Sequence, residues 1–427
     1  MQRLKVSDNQ HYLVTDDDQP FFWLGDTAWE MLHRCNLQTE IPLYLDNRKA
    51  KGFNVIQTVI LAEQYGLQQP SPAGHLPLHD MDPAKPNEDY FADVENVINM
   101  AVERGLYLCL LPTWGDKVNL AWGAGPVIFN EANARIYGQY LGKRFRDYDN
   151  LIWMIGGDRR EVEGGVDYRP IWRAMAEGIK SEASQLMTYH PMGGRGSSME
   201  FHQDDWLQLN TWQSGHGHLN EPIWEQIHGD WMRQPTKPVL DSEPCYEDIH
   251  IQFIAENGAF TPYDVRRRVY RGVFAGGCGV TYGQTSVWQM YSAEHDPVLE
   301  AEKYWKDSLD TPGAFQMQHL KNLMLSRPYL SRIPDQSILK SAEGTFGNHV
   351  RATRDAHGRY AMIYIPTTPI TVDVDLQRLE GETFTASWFN PRNGETTKIG
   401  SYKRRDQATF TPDWRGPDWV LIIDSDS

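Results

Sequence analysis

The chain has 427 residues, 40% hydrophobic and 23% charged, a composition that fits a folded globular protein and excludes a disordered one. Its formal net charge of −16 excludes a nucleic-acid backbone or an anionic membrane surface as the main partner. At about 150 residues per domain, the length allows one large domain and a small one, or two to three ordinary ones.

The opening "MQRLKVSDNQHYLVT" contains no apolar signal-peptide core. No apolar run approaches the ~18 residues that span a bilayer. The expectation is a cytoplasmic protein, or a secreted or periplasmic one if a leader has been removed. Up to about residue 330, short β-rich runs alternate with helical patterns. The runs are "FFWLGD" (21–26), "FNVIQTVI" (53–60), "LYLCLLPTW" (106–114), "LIWMIGGD" (151–158), "LMTYHP" (186–191), "WLQLNTWQ" (206–213), "PVLDSE" (238–243) and "GCGVTYG" (277–283). Between them, 89–105, 130–150, 167–183 and 261–276 carry apolar residues at i, i+3, i+4 spacing. In the last of these, Thr261 is placed as N-cap with Pro262 at the first helical position. Its basic run "VRRRVYR" (265–271) reads as a solvated helix face.

Strand–helix alternation predicts a parallel sheet, and eight repeats fit an α/β protein with a (β/α)8 barrel. A doubly wound sheet would announce itself with a glycine-rich nucleotide loop. The first strand runs instead into "GDTAWE". After residue 330 the pattern changes to short alternating runs such as "YAMIYIP", "TFTASWFNP" and "DWVLIID", separated by turn signals. They predict a small antiparallel β-sandwich, giving a barrel at 1–330 and a second domain at 331–427. "SRPYLSRIPD" (326–335) is placed as the hinge, and packing against the barrel is the expected role of the sandwich. Cys35, Cys109, Cys245 and Cys278 form no CxxC pair and read as buried hydrophobes or free thiols.

A barrel does its chemistry at the C-terminal ends of its strands. Here those ends carry Asp26 and Trp29, Glu63, Trp114 and Asp116, Asp158, and Tyr189 and His190. Asn210, Trp212 and Gln213 follow, then Glu243 and Tyr246, and finally Tyr282, Gln284 and Trp288. Aromatic faces stack on sugar rings, and carboxylates and amides bind hydroxyls, so this rim suits a neutral polyhydroxylated substrate. Asp26, Trp29, Glu63, Trp114, His190, Trp212, Gln213, Tyr246, Tyr282, Gln284 and Trp288 are therefore read as substrate-binding residues.

Asp158 and Glu243 close the fourth and seventh strands, on opposite sides of the barrel mouth. Glycosidic cleavage uses two such carboxyl groups, one to protonate the leaving oxygen and one to attack or to activate water. Gly156 and Gly157 would let the backbone turn tightly before Asp158, and Arg159 or Arg160 would hold a neighbouring carboxylate. The plainer reading makes Asp158 a helix cap or a loop ion-pair partner. Asp241 points to the same side as Glu243 one layer deeper, a structural position. "QSGHGH" (213–218) reads as a glycine-rich loop with hydrogen-bonding histidines. A metal-dependent hydrolase using His190, His216 and His218 is the alternative, and a non-catalytic carbohydrate-binding protein is another. "MGGRGSS" (192–198) lacks the spacing of a serine nucleophile elbow and reads as a flexible rim loop.

The segments "FFWLGDTAWEMLHR", "YLDNRKAKGFNVIQTVIL", "LIWMIGGDRR", "PVLDSEPCYED" and "VRRRVYRGVFAGGCGVTYG" together resemble the apiosidase-like glycoside hydrolases, those of family 140. That family joins a barrel to a small β-sandwich often labelled collagen-binding. "WFNPRNGE" matches a family-like hairpin in the tail, and Val280 stands where many members have His. The resemblance implies a barrel glycosidase with Asp158 as acid/base and Glu243 as nucleophile, and their places on strands four and seven predict a retaining mechanism. It further implies release of a terminal sugar, a furanoside such as apiose or arabinose, from a glycan or oligosaccharide. That chemistry requires no cofactor and no metal. The sequence is silent on linkage and oligomeric state.

Overall fold

Residues 1–405, 408–412 and 415–426 are described by a computed structural model of the chain. Eight strands form the barrel wall: β1 (Trp23–Thr27), β2 (Val55–Leu61), β3 (Tyr107–Thr113), β4 (Leu151–Gly156), β5 (Met187–His190), β6 (Asn210–Gln213), β7 (Val239–Asp241) and β8 (Gly279–Tyr282). Seven neighbouring pairs are parallel, and β8 pairs with β1. Every residue of these strands is buried, because a parallel sheet is covered on both faces.

The eighth gap, between β5 and β6, has no ladder. Gln208 donates its N–H to Met187 O (3.0 Å), and Thr188 donates its hydroxyl to Leu209 O (2.6 Å) across it. The sequence expected at 192–198 as a flexible loop instead supplies a ninth strand, Arg195–Gly196, antiparallel to β6.

Helices α1 (Glu40–Ala50), α2 (Glu88–Glu103), α3 (Glu131–Phe145), α4 (Arg169–Lys180), α5 (Ser198–Phe201), α6 (Ile223–Trp231), α7 (Pro262–Phe274) and α8 (Pro312–Leu325) follow the strands in turn. In α2, Tyr90, Phe91, Val94, Val97, Ile98 and Ala101 form one buried stripe, and the Asn87 side chain caps the first turn. Thr261 and Asp264 form a reciprocal capping box on α7, with Pro262 at its start.

Among the described residues eight strands follow the barrel: β9 (Arg332–Pro334), β10 (Arg351–Asp355), β11 (Tyr360–Ile365), β12 (Val372–Val374), β13 (Thr383–Phe389), β14 (Thr396–Lys403), β15 (Ala408–Phe410) and β16 (Trp419–Ser425). Six form an antiparallel sheet in the order β9-β10-β11-β16-β13-β14, and β12 pairs with β15. Alternation along β11 divides its two faces. Ala361, Ile363 and Ile365 join a core with Val372, Phe384 and Phe410. Tyr360, Met362 and Tyr364 join the barrel's core beside Val269, Tyr270 and Phe274 of α7.

That contact overturns the reading of "VRRRVYR" as a solvated face. Arg266, Arg267, Arg268 and Arg271 are all buried. Arg266 clasps Asp418 through two bonds of 3.0 and 2.9 Å, and Arg271 donates to Gly347 O (2.6 Å) and His349 O (3.1 Å). The segment expected as a hinge is likewise fastened. Arg332 is buried and donates to Val273 O and Gly277 O, both at 2.7 Å, and Tyr329 donates to Cys278 O (2.8 Å). All four cysteines are buried free thiols. No described helix is long and apolar enough to cross a membrane.

Candidate active site

The end of β4 explains the glycine pair. Gly156, Gly157 and Asp158 all have left-handed backbone, at φ 97°, 142° and 51°. A Cβ on Gly156 would lie 2.4 Å from His190 O, and one on Gly157 would lie 2.5 Å from Gly115 N. The chain passes between the ends of β3 and β5. Gly115 N–H donates to Gly157 O, and Gly157 N–H donates to His190 O, each at 3.1 Å. Only glycine fits that passage. Asp158 is then held in a conformation that costs a non-glycine residue on the order of 1–3 kcal/mol, a kind of strain that clusters at functional sites.

Asp158 faces a cleft of about 570 Å³ at the C-terminal end of the barrel. Its Oδ1 accepts a 3.3 Å bond from Gly193 N–H, and Arg159 Nη1 lies 3.7 Å from Oδ2. Arg159 commits its guanidinium elsewhere, to Glu63 Oε1 (2.8 Å) and Trp122 O (2.7 Å), and stacks on the Trp122 ring at 4.0 Å. Burial and then the Glu243 charge push Asp158 up to about 7, against the opposing pull of Arg159 and His190.

Glu243 lies two residues beyond β7 and lines the same cleft. Burial alone would raise it. Hydrogen bonds from His190 Nε2 to Oε2 (2.7 Å) and from His216 Nε2 to Oε1 (3.2 Å) overcome that and hold it down at about 2. The His216 Nδ1 accepts Tyr246 N–H (3.3 Å), so its Nε2 carries the proton and donates to Glu243. The loop read as a glycine-rich histidine segment thus supplies a carboxylate partner. Both histidines aim their Nε2 at Glu243. Among the described residues no three His, Cys, Asp or Glu side chains are grouped to hold a metal ion.

Trp29, Glu63, Trp114, Gln213, Tyr246 and Trp288 line this cleft. The buried Trp114 Nε1, Trp288 Nε1 and Gln213 Oε1 have no partner among the described residues. Five residues expected on the rim lie elsewhere. Asp26 is fully buried behind β1, paired with Arg48 Nε (2.6 Å) and bonded by Tyr44. Trp212 points outward and donates from Nε1 to Asp230 of α6 (2.8 Å). Tyr282 is buried against Glu247 (2.5 Å) and Thr311 (2.9 Å). Gln284 caps Ser286 and Val287 and binds Asp248, outside the cleft. His190 is fully buried behind Glu243, with its ring edge-on to Trp29, and so touches the carboxylate and not the cleft. Asp241 is buried against Ser214, bonded by its N–H (3.1 Å) and hydroxyl (2.6 Å).

Residues 7–331 match the family described as "Apiosidase-like, catalytic domain". The chain belongs to the apiosidase-like family. Residues 333–424 match a second family, described as "Putative collagen-binding domain of a collagenase". A solved glycoside hydrolase family 5 structure from Bacteroides vulgatus ATCC 8482 is similar at 32% identity and TM-score 0.91, over 99% of this chain and 93% of its own. Another solved glycoside hydrolase is also 32% identical with TM-score 0.91, over 100% of this chain and 97% of its own. No curated protein matches the chain. The family and these structures make this protein a glycoside hydrolase.

This apiosidase-like barrel also presents cleft residues that sequence reading passed over. Trp122 is 41% exposed at the mouth, and Met192, Ile249, Phe253 and Leu299 add an apolar wall. They sit on loops, where no periodicity marks a residue as facing a ligand.

Proposed function

We propose that this glycoside hydrolase removes a terminal sugar from a glycan or oligosaccharide with retention of configuration, using Asp158 as general acid and base and Glu243 as nucleophile. One observation carries the reading: two carboxyls line one cleft, Glu243 bonded by two histidine N–H groups and Asp158 by a single long backbone N–H bond, an asymmetry that raises Asp158 and lowers Glu243. Asp158 gives its proton to the leaving oxygen while a Glu243 oxygen bonds the anomeric carbon and the glycosidic C–O bond breaks. The His190 and His216 N–H groups orient the attacking carboxylate. Once Glu243 is esterified, its charge no longer raises Asp158, which becomes the better base. Asp158 then takes a proton from water as the oxygen attacks the anomeric carbon and frees Glu243. The sugar we propose is a furanoside, apiose or arabinose, on the strength of the family's description.

The test is hydrolysis of an aryl glycoside panel that includes apiofuranosides and arabinofuranosides, with wild type beside Asp158→Asn and Glu243→Gln. Turnover should fall by about 10³-fold or more in each variant. Proton NMR of the first-formed product reads the anomer. An inverted product would remove the nucleophile role from Glu243. Activity that survives both substitutions would move the chemistry elsewhere on the rim, and inactivity of the wild type on furanosides alone would change the sugar.

A further inference from the structure

A cavity of about 460 Å³ lies outside the active cleft, between the barrel and the C-terminal sheet. Asn220 and Trp224 line it from the barrel side, and Phe346, His349 and Arg351 line it from the other. Arg271 builds the seam: its bonds to Gly347 O and His349 O tether the 344–349 loop, and its guanidinium lies 5.1 Å from the Trp224 ring centroid. His349 stacks on Trp224 at 4.2 Å.

Three features of this seam have no use among the described residues. Arg351 is only 5% exposed, yet its side chain makes no hydrogen bond or ion pair with any described residue, and its Nε is buried without a partner among them. A buried guanidinium without a counter-ion is costly, because desolvation is not offset by any attraction. The nearby charge acting on it is exposed Glu343, too weak to reverse burial, which lowers Arg351 to about 10. His349 Nε2 and Asn220 Oδ1 are also buried and have no partner among the described residues. Phe346, finally, is 73% exposed and held at φ 49°. A large apolar ring presented to solvent from a left-handed backbone is a double cost that folding alone does not explain.

We propose that this seam is a second saccharide site, which takes a carboxylate-bearing sugar unit with its carboxylate on Arg351 and its ring face on Phe346. A guanidinium matches the planar carboxylate, and an aromatic face suits the C–H face of a pyranose. Asn220 Oδ1 and the rim carboxylates Glu225 and Glu343 accept from the hydroxyls. The saccharide class rests on the chain's being a glycoside hydrolase and not on the roles of Asp158 and Glu243.

Calorimetric titration with sodium glucuronate tests the site, with glucose and sodium acetate as comparison probes, in wild type, Phe346→Ala and Arg351→Gln. Glucuronate should bind, and each substitution should weaken it by about tenfold or more. Glucose and acetate should each bind at least about tenfold less well. Phe346 is exposed, so its truncation leaves the fold intact and carries the test even where Arg351→Gln fails to fold. Unchanged glucuronate affinity in Phe346→Ala would overturn the proposal, as would absence of glucuronate binding to wild type at millimolar concentration. Equal binding of acetate would overturn the saccharide part, and equal binding of glucose the carboxylate part. Hydrolysis of the aryl panel should be unchanged in Phe346→Ala, which separates this site from the cleft.

Discussion

Asp158 and Glu243 are nearly the same functional group in one cleft, and their neighbours set them apart. Two histidine N–H groups donate to Glu243, whereas Asp158 receives one long backbone bond and a distant, committed arginine. The acid works only while Asp158 is protonated. Activity should therefore hold below pH 7 and fall about tenfold per pH unit above it, since Asp158 titrates at about 7. Glu243 stays ionised down to about 2, so it sets no limit in the neutral range. The pH profile of kcat/KM checks this, and an alkaline limb near the ordinary carboxyl range of about 4 would refute it. Glu243→Gln removes the charge that raises Asp158, so carbon-13 NMR of Asp158 should show it titrating lower in that variant. An unchanged or higher value would mean that the two carboxyls do not feel each other.

At the scale of elements, the turn after β4 depends on its glycines. Gly157→Ala would place a methyl 2.5 Å from Gly115 N on a backbone at φ 142°. We expect a loss of roughly 3 kcal/mol in denaturant unfolding and a fall in kcat as Asp158 is displaced. Gly164→Ala is the control. It also has left-handed backbone, but nothing lies within 4 Å of the added carbon, so it should cost about 1 kcal/mol and leave kcat alone. Equal effects of the two would show that conformation, and not the passage between β3 and β5, makes Gly157 necessary. Strand parity accounts for several of the misplaced rim residues. Asp26 and Trp212 point outward to helices, while Gln213, the next residue along from Trp212, reaches the cleft.

Across the whole molecule, the buried arginines of α7 make the barrel and the C-terminal sheet one structure. Asp418 is fully buried and holds Arg266 (2.9 Å), Arg392 (3.0 Å) and the Tyr364 hydroxyl (3.1 Å). Asp418→Asn would leave buried Arg266 and half-buried Arg392 short of a counter-charge, a loss of about 3–5 kcal/mol. Calorimetry should show a single unfolding transition moved to lower temperature. A separate barrel transition at its wild-type temperature would mean that the two parts unfold independently.

The alternation of strands and helices, the change to antiparallel pattern after residue 330, and the GGD and "LDSE" strand ends could all be read in the sequence. They depend on local periodicity, on turn chemistry and on the barrel rule that places reactive groups at strand ends. The outward turn of Asp26, Trp212 and Tyr282 could not, because which parity faces the cleft depends on how each strand is tilted and staggered against its neighbours. Nor could the burial of Arg266, Arg268 and Arg271. A run of arginines on an amphipathic helix has the same pattern whether water or protein covers it, and the placement of Asp418 for Arg266, of the Gly347 and His349 carbonyls for Arg271, and of the Ser214, Gly215 and His218 loop for Arg268 decides between them. The pairing of His190 and His216 with Glu243 spans 53 and 27 residues of sequence. Closure of the barrel alone brings them together, and that contact lowers the Glu243 pKa against its burial.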